Sequence, residues 1–434
     1  MSLPRVPTVR LEIPDYDLGL RGKSVRADNL SPGKRAAMSM IVYGLSVADD
    51  VTDTPIANAN NGYPDAFAIL DESTRVKLPW CPSTEAVIAD MIHQDERPVL
   101  ESPRTVLKNL EQGFKERGLT PILGYEYEVY VSQAGEVKDG IVPLGRTISA
   151  YSLLRLAETS DLAEEFMARM ESINIPLGAF HSELGPGFLE FTLLPAPALE
   201  AADRAARAKQ YFRELCAERG LRATFMAKLH MDQSGSGGHV HQSILHEGSN
   251  VFSNGKGELS ELASQYVAGL ISSMGDLTVL FNPFLNSYKR LDAAFFVANR
   301  ATWGYDNRNA ACRTILNVPA EAARVEHRRP GADASPYLVA IGILAGGLHG
   351  INEKLPLGPA LMPDDDITTS GQYLASTLEE AVDAFEASSI AREYIGADFV
   401  VSFAATRRGE LAAFNKWWRG NITDWELNRY MEHI

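Results

Sequence analysis

The chain has 434 residues, long enough for two or three domains and a large core, so a small disulfide-held scaffold is excluded. Hydrophobic residues make up 45% and charged residues 22%, and the mean hydropathy of −0.13 comes without an apolar run long enough to cross a bilayer. A net charge of −15 argues against a nucleic-acid partner, which needs clustered Lys and Arg, but leaves small phosphates open.

The first residues, MSLPRVPTVRLEIPDYD, hold no apolar signal core, and Cys81, Cys216 and Cys312 stand in no ligand spacing. Together these point to the reducing cytoplasm, with no membrane partner. Up to about residue 100, short apolar runs such as Met38 to Gly44 and Ala66 to Leu70 are broken by the turn-rich Asn58 to Pro64, which reads as a small strand-rich domain. Ser102-Pro103 is a helix start and Gly118 its stop, so domains are expected at 1–101 and 102–434. Pro121 to Val131 then reads as a strand, Leu199 to Arg219 and Leu259 to Met274 as helices, and Pro336 to Ile351 as a buried helix. Asp364 to Asp366 reads as a solvated loop, and the C-terminal segment as largely helical. Irregular alternation of strands and helices gives an α+β class.

Four segments share one pattern. In YEYEVYV, Glu126 and Glu128 alternate with aromatic and branched residues, which puts both carboxylates on one strand face. That is a solvated face unless a cation neutralises the pair. In HSELGPGFLEFT, Gly185-Pro186-Gly187 reverses the chain so that Glu183 and Glu190 face each other. In SGSGGHVHQS, glycines and serines precede His239 and His241, which share a face if Gly238 feeds a strand; the stretch alone fits a turn, a phosphate cradle or a metal site. In RVEHRRP, Glu326 is flanked by Arg324 and Arg328, a salt-bridge ladder if nothing else. Four such strands together are what a metal-and-phosphate site requires. Oxygen-rich ligation with one imidazole suits Mg²⁺ or Mn²⁺ more than Zn²⁺. Arg290, Arg308, Arg313, Arg324 and Arg328 would neutralise phosphate and carboxylate oxygens, and the chemistry suggested is phosphoryl transfer from a nucleotide.

The order of these segments resembles the glutamine synthetase family. The matching stretches are YEYEVYV, SELGPGFLE, AKQYFRELCAERGLRATFMAK, GSGGHVHQS, NPFLNSYKR, WGYDNRNAACR and RVEHRRPGADASPYLVAIGILAGGLHGI, with Arg21-Gly22-Lys23 and Gly62 to Asp65 matching the family's N-terminal half. The resemblance implies an N-terminal β-grasp domain, a catalytic domain with an open β-barrel and flanking helices, and homo-oligomeric rings, a dodecamer by family habit. It implies ATP and Mg²⁺ (or Mn²⁺), with glutamate phosphorylated at its γ-carboxylate and a nitrogen nucleophile displacing the phosphate. By position, Glu128, Glu183 and Glu190 resemble ligands of one metal, and Glu126, His239 and Glu326 those of another. His241, Ser243, Arg308, Arg313 and Arg324 resemble nucleotide and phosphate contacts, with Arg308, Arg324 and Glu326 the catalytic group. Gly235, Arg290 and Arg328 resemble glutamate contacts.

Departures bear on the nucleophile. The family's ammonia-handling flap glutamate falls on Phe296, its hairpin Gln on Phe188, the Asn before Gly235 on Ser234, and a phosphate-side Lys near Glu321. No aspartate-glycine-serine loop is seen in the N-terminal segment. These changes resemble the γ-glutamylpolyamine and γ-glutamylmonoamine synthetase branch. An ATP-dependent glutamate–amine ligase is therefore expected, with an ammonia-using glutamine synthetase as the alternative. A catalytically inactive member is the third reading, opposed by retention of all six metal-ligand candidates.

Overall fold

The structure, a computed structural model, describes residues 5–30, 35–137, 140–145, 149–291 and 296–434. Its N-terminal part holds β1 (Thr8–Pro14), β2 (Leu20–Arg26), β3 (Ala36–Ser39), β4 (Asp65–Leu70), β5 (Val76–Lys77) and β6 (Thr84–Ile92). These pair in the order β2-β1-β6-β4-β3, with β5 on β6; β1 and β6 run parallel and the other pairs antiparallel. The apolar run after Ala36 splits. Only Ala36–Ser39 is extended, and Met40–Tyr43 is a tight helical turn whose first free N–H, on Ile41, is taken by the Ser39 hydroxyl at 3.4 Å.

The larger part begins with α1 (Pro103–Lys115), β7 (Leu119–Gln133), α2 (Leu153–Glu158), α3 (Ser160–Glu171), β8 (Leu177–Ser182), β9 (Phe188–Leu193), β10 (Ala196–Pro197) and α4 (Ala198–Glu218). It continues with β11 (Leu221–Thr224), β12 (Gly238–His246), β13 (Ser249–Asn250), α5 (Glu261–Phe281), β14 (Arg300–Ala301), β15 (Trp303–Tyr305), β16 (Cys312–Ile315), β17 (Arg324–His327) and α6 (Pro336–Asn352). The chain closes with β18 (Gln372–Tyr373), α7 (Leu378–Ala387), α8 (Ala397–Arg419) and α9 (Asp424–Tyr430). A ten-stranded sheet runs β15-β16-β17-β12-β7-β9-β8, with β10 and β11 on β7 and β13 on β12. Strands β14 and β18 form a separate pair, and the mixture of sheets and packed helices is the α+β architecture expected.

Strand β7 is the spine of this sheet. Tyr125, Tyr127, Val129 and Val131 are buried on its core face, and period two leaves Glu126 and Glu128 on the other. Helices α1 and α4 pack on it, and α5 and α6 pack on each other with backbones almost touching. A Cβ added at Gly269 would sit 2.1 Å from the Gly346 carbonyl oxygen, and one at Gly350 would sit 2.6 Å from the Gly269 Cα, so glycine is required on both helices. Helix α5 outruns its expected end at Met274, continuing through Gly275 because Leu277, Leu280 and Phe281 have a core to enter. Buried pairs stitch the N-terminal sheet to the helices: Glu12 takes Arg207 at 2.8 Å and Tyr211 at 2.6 Å, and Asp17 takes Arg407. Among the described residues no helix is long and apolar enough to cross a membrane.

Candidate active site

Strand register assembles the site. Glu126 on β7 stands opposite His239 on β12, and Glu128 opposite Glu190 on β9. His241 stands opposite Glu326 on β17, and Glu326 opposite Arg313 on β16. One face of five adjacent strands thus carries an unbroken row of acids, imidazoles and a guanidinium.

The row divides into two groups. In the first, His239 Nδ1 lies 3.1 Å from Glu126 Oε1 and 3.6 Å from Glu326 Oε1, and His241 Nε2 lies 3.4 Å from Glu126 Oε2. Arg313 donates to Glu326 at 3.0 Å, Arg328 donates to its other oxygen, and Arg324 Nε donates to His241 Nδ1 at 3.1 Å. Arg290 Nη2 is 3.3 Å from His239 Nε2. In the second, His181 Nε2 lies 2.9 Å from Glu190 Oε1 and its Nδ1 3.5 Å from Glu183. Glu128 accepts the Gly237 N–H, so the glycine loop and the acids are in direct contact.

The two groups hold their charge differently. Burial alone would raise Glu126, but hydrogen bonds from His239 and His241 outweigh it and hold the carboxyl well below the usual range. Burial of Glu326 is likewise overcome, chiefly by the Arg328 charge, and its proton affinity falls. In the second group burial wins: Glu128 is pushed up to about 7 despite Arg290, and Glu190 to about 7 despite His181. Burial would lower His181, but Glu190 raises it to about 9, so the His181–Glu190 pair retains a proton near neutral pH.

This crowding is itself a test of fit for a cation. Donor atoms of Glu126, His241 and Glu326 all lie within 4.8 Å of one another, and so do those of His181, Glu183 and Glu190. Facing carboxylates held up by burial are relieved by a hard divalent cation, which takes oxygen donors of this kind.

Every expected site residue except Ser243 lines one open cavity of about 720 Å³: Glu126, Glu128, Glu183, Glu190, Gly235, His239, His241, Arg290, Phe296, Arg308, Arg313, Arg324, Glu326 and Arg328. Ser243 instead lines a neighbouring cleft of about 700 Å³, together with Glu321 and Ala323. Glu126, His241 and Arg324 belong to both and form the wall between them.

Two residues not singled out from sequence also matter. His181 sits two residues before Glu183 and opposite Glu190 in the β8–β9 register, a spacing that carried the signal. Tyr151 lines the cavity and packs against His181 with ring centroids 4.8 Å apart and planes tilted by 36°, from a loop with no periodic signal. Phe296 is 54% exposed at the cavity edge, beside the buried Val297. Both aromatic residues have left-handed backbones, φ +56 for Tyr151 and +58 for Phe296, a conformation seldom adopted by bulky residues outside sites that need it.

Acids in register, forked arginines and a glycine loop around a cleft are the equipment of a phosphoryl-transfer enzyme. The family described as "Glutamine synthetase, catalytic domain" matches residues 100–430, and the chain belongs to the glutamine synthetase family. It is 35% identical over 444 residues to a glutamate–isopropylamine ligase of a Pseudomonas species, covering 99% of this chain and 96% of that one. It is 32% identical over 451 residues to type-1 glutamine synthetase 2 of Dictyostelium discoideum, covering 100% of this chain and 85% of that one. A solved structure described as "Apo GmaS without ligand" matches with a TM-score of 0.83 at 29% identity, covering 98% of this chain and 97% of the other. Enzymes of the family form carbon–nitrogen bonds using ATP and a divalent metal.

Proposed function

We propose that the chain is an ATP-dependent ligase joining the γ-carboxylate of glutamate to an organic amine. The γ-carboxylate attacks the terminal phosphorus of ATP and ADP leaves; the amine nitrogen then attacks the acyl carbon, phosphate leaves, and the nitrogen gives up a proton. The observation that carries the amine is Phe296. An aromatic ring lines the same cavity as the acid row, with Tyr151, Leu184 and Val297 as further apolar wall. Such a wall can hold a carbon chain at about 0.8 kcal/mol per buried methylene, whereas ammonium gains nothing from it.

In this reading Gly235, Arg290 and Arg328 hold glutamate, and His241, Ser243, Arg313 and Arg324 hold the nucleotide. Arg308, exposed on the cavity wall, faces the transferring phosphate with Arg324. Glu126, His239 and Glu326 would hold one cation and Glu128, Glu183 and Glu190 another, with His241 and His181 close beside them. Mg²⁺ is favoured by the oxygen donors, with Mn²⁺ as substitute, and when bound it offsets charge on phosphate oxygens. We read residues 1–101 and 102–434 as two units of one cytoplasmic subunit in homo-oligomeric rings. Exposed Trp417, Trp418, Ile422 and Trp425 near the C-terminus support assembly.

The test is phosphate release with glutamate, ATP and a panel of alkylamines, diamines, aminoalcohols and ammonia. An organic amine should give the highest kcat/KM, and Phe296→Glu should lower it by about tenfold while raising ammonia use. Faster turnover with ammonia than with every amine would make the chain a glutamine synthetase instead.

A further inference from the structure

Tyr130 sits where three parts of the site meet, on β7 two residues beyond Glu128. Its hydroxyl donates to the Ser234 carbonyl oxygen at 2.6 Å, and its ring stacks on Phe188 with centroids 4.2 Å apart and planes at 15°. Phe188 is its cross-strand partner in the β7–β9 register and closes the turn between Glu183 and Glu190. One side chain therefore touches both the acid hairpin and the glycine loop.

The loop from Ser234 to Gly238 is fixed at nearly every residue. Ser236 donates to the Ala227 carbonyl at 2.8 Å and accepts from Ala332 at 3.0 Å. Gly237 donates to the Glu128 carboxylate and accepts from the Glu128 N–H at 2.9 Å, and Gly238 donates to the Pro330 carbonyl at 3.0 Å. Gly235 is pressed against Arg290 so closely that an added Cβ would lie 2.7 Å from the Arg290 Cγ. Among the described residues nothing in the protein bonds to the Gly235 N–H or carbonyl. These two backbone groups are thus unpaired in a residue that lines the cavity, next to hydrogen-bonded neighbours.

Planarity supplies the link to Tyr130. The Ser234 carbonyl and the Gly235 N–H belong to one trans peptide, so they point in opposite directions from a rigid plate. Holding the oxygen sets the aim of the N–H. We propose that Tyr130 is a positioning residue of the glutamate subsite: its phenol fixes the Ser234–Gly235 peptide so that the Gly235 N–H is presented to the substrate, and its stack on Phe188 ties that aim to the acid hairpin. The proposal rests on the reading of Gly235 as a glutamate contact. By period two Tyr130 shares the face of Glu126 and Glu128, and its hydroxyl reaches the loop from there.

Tyr130→Phe removes the hydroxyl and keeps the stack. Glutamate Kd, measured by calorimetry on the metal-loaded protein, and KM for glutamate should both rise about three- to tenfold. KM for ATP and for the amine should stay within about twofold, with kcat and Tm retained, because a ground-state contact to one substrate is lost. Phe188→Leu, which keeps the hydroxyl but unseats the ring, should weaken glutamate in the same direction. Unchanged glutamate affinity in Tyr130→Phe would overturn the inference and leave the ligase reading standing. So would an equal rise in all three KM values with a lowered Tm, the mark of a merely structural residue. A wild-type chain that binds no glutamate would overturn both.

Discussion

The groups around Glu326 and Glu190 are neighbours on one sheet, yet the protein treats their charge in opposite ways. Glu326 is met by two guanidiniums, Arg313 and Arg328, and Glu126 by two imidazoles, so these carboxylates ionise easily even when buried. Glu128, Glu183 and Glu190 have His181 and the more distant Arg290 as cationic neighbours, and burial holds two of the three up at about 7. The first group is assembled by the protein's own charges. The second is left short of positive charge, which is the condition under which an external cation does most to organise a site.

The largest effect should come from the compensated group. Glu326→Ala leaves the buried Arg328 and the half-buried Arg313 without their shared acceptor, and phosphate release at saturating Mg²⁺ should fall by about 10²-fold or more, with the far-UV circular dichroism unchanged. Near-normal turnover would remove Glu326 from the site. The arginines flanking it should separate. Arg324 bonds to His241 in the wall between the two clefts, whereas Arg328 bonds to Glu326. Arg324→Ala should raise KM for ATP and Arg328→Ala KM for glutamate, each by about tenfold, and matching defects in both would point to a simple ion-pair ladder.

The smallest effect is on stability, and it should have opposite sign in the two groups. Glu128 and Glu190 bind protons more tightly when folded, so between the ordinary carboxylate range and about pH 7 the folded state carries more protons than the unfolded one. Stability from these groups is present at low pH and is lost as pH rises through 7. Without metal, Glu128→Gln or Glu190→Gln should therefore raise Tm at pH 8, by about 1 °C for each kcal/mol in a chain of this length, and change it little at pH 5. Glu326 is depressed, its contribution is present above the ordinary carboxylate range, and Glu326→Gln should lower Tm at pH 8. Thermal scans that found all three substitutions equally destabilising at pH 8 would erase the distinction between the groups.

What the sequence disclosed, and what it hid, follows from the range of the interactions involved. Alternation along β7, β12 and β17 is local, so the shared faces of Glu126 with Glu128 and of His239 with His241 could be read directly. The family likeness then supplied which strands meet. His181 was visible at the right spacing from Glu183, but its partner is Glu190 across the β8–β9 pairing, and pairing is nonlocal. Tyr151 reaches the cavity from a loop, where no period marks a residue. Nor does alternation reveal how far along β12 the cavity extends, so Ser243, in phase with His239 and His241, falls in the adjoining cleft. Helix α5 ran past its expected stop because burial of Leu277 and Phe281 outweighed the weak helix propensity of Gly275.

The glycine contact between α5 and α6 has a mechanical consequence for the face that carries the acids. Elsewhere in the core a displaced element can be absorbed by side chains changing rotamer, but here Gly269 meets Gly346 and Gly350 backbone to backbone, with nothing between them to yield. Helix α6 is in turn bound to β7, since the Tyr125 hydroxyl donates to the Pro336 carbonyl at 2.8 Å. The helix pair meets in a stiff seam. The seam therefore admits nothing larger than glycine, and the Tyr125 hydroxyl is a direct tie from α6 to the strand that carries Glu126 and Glu128.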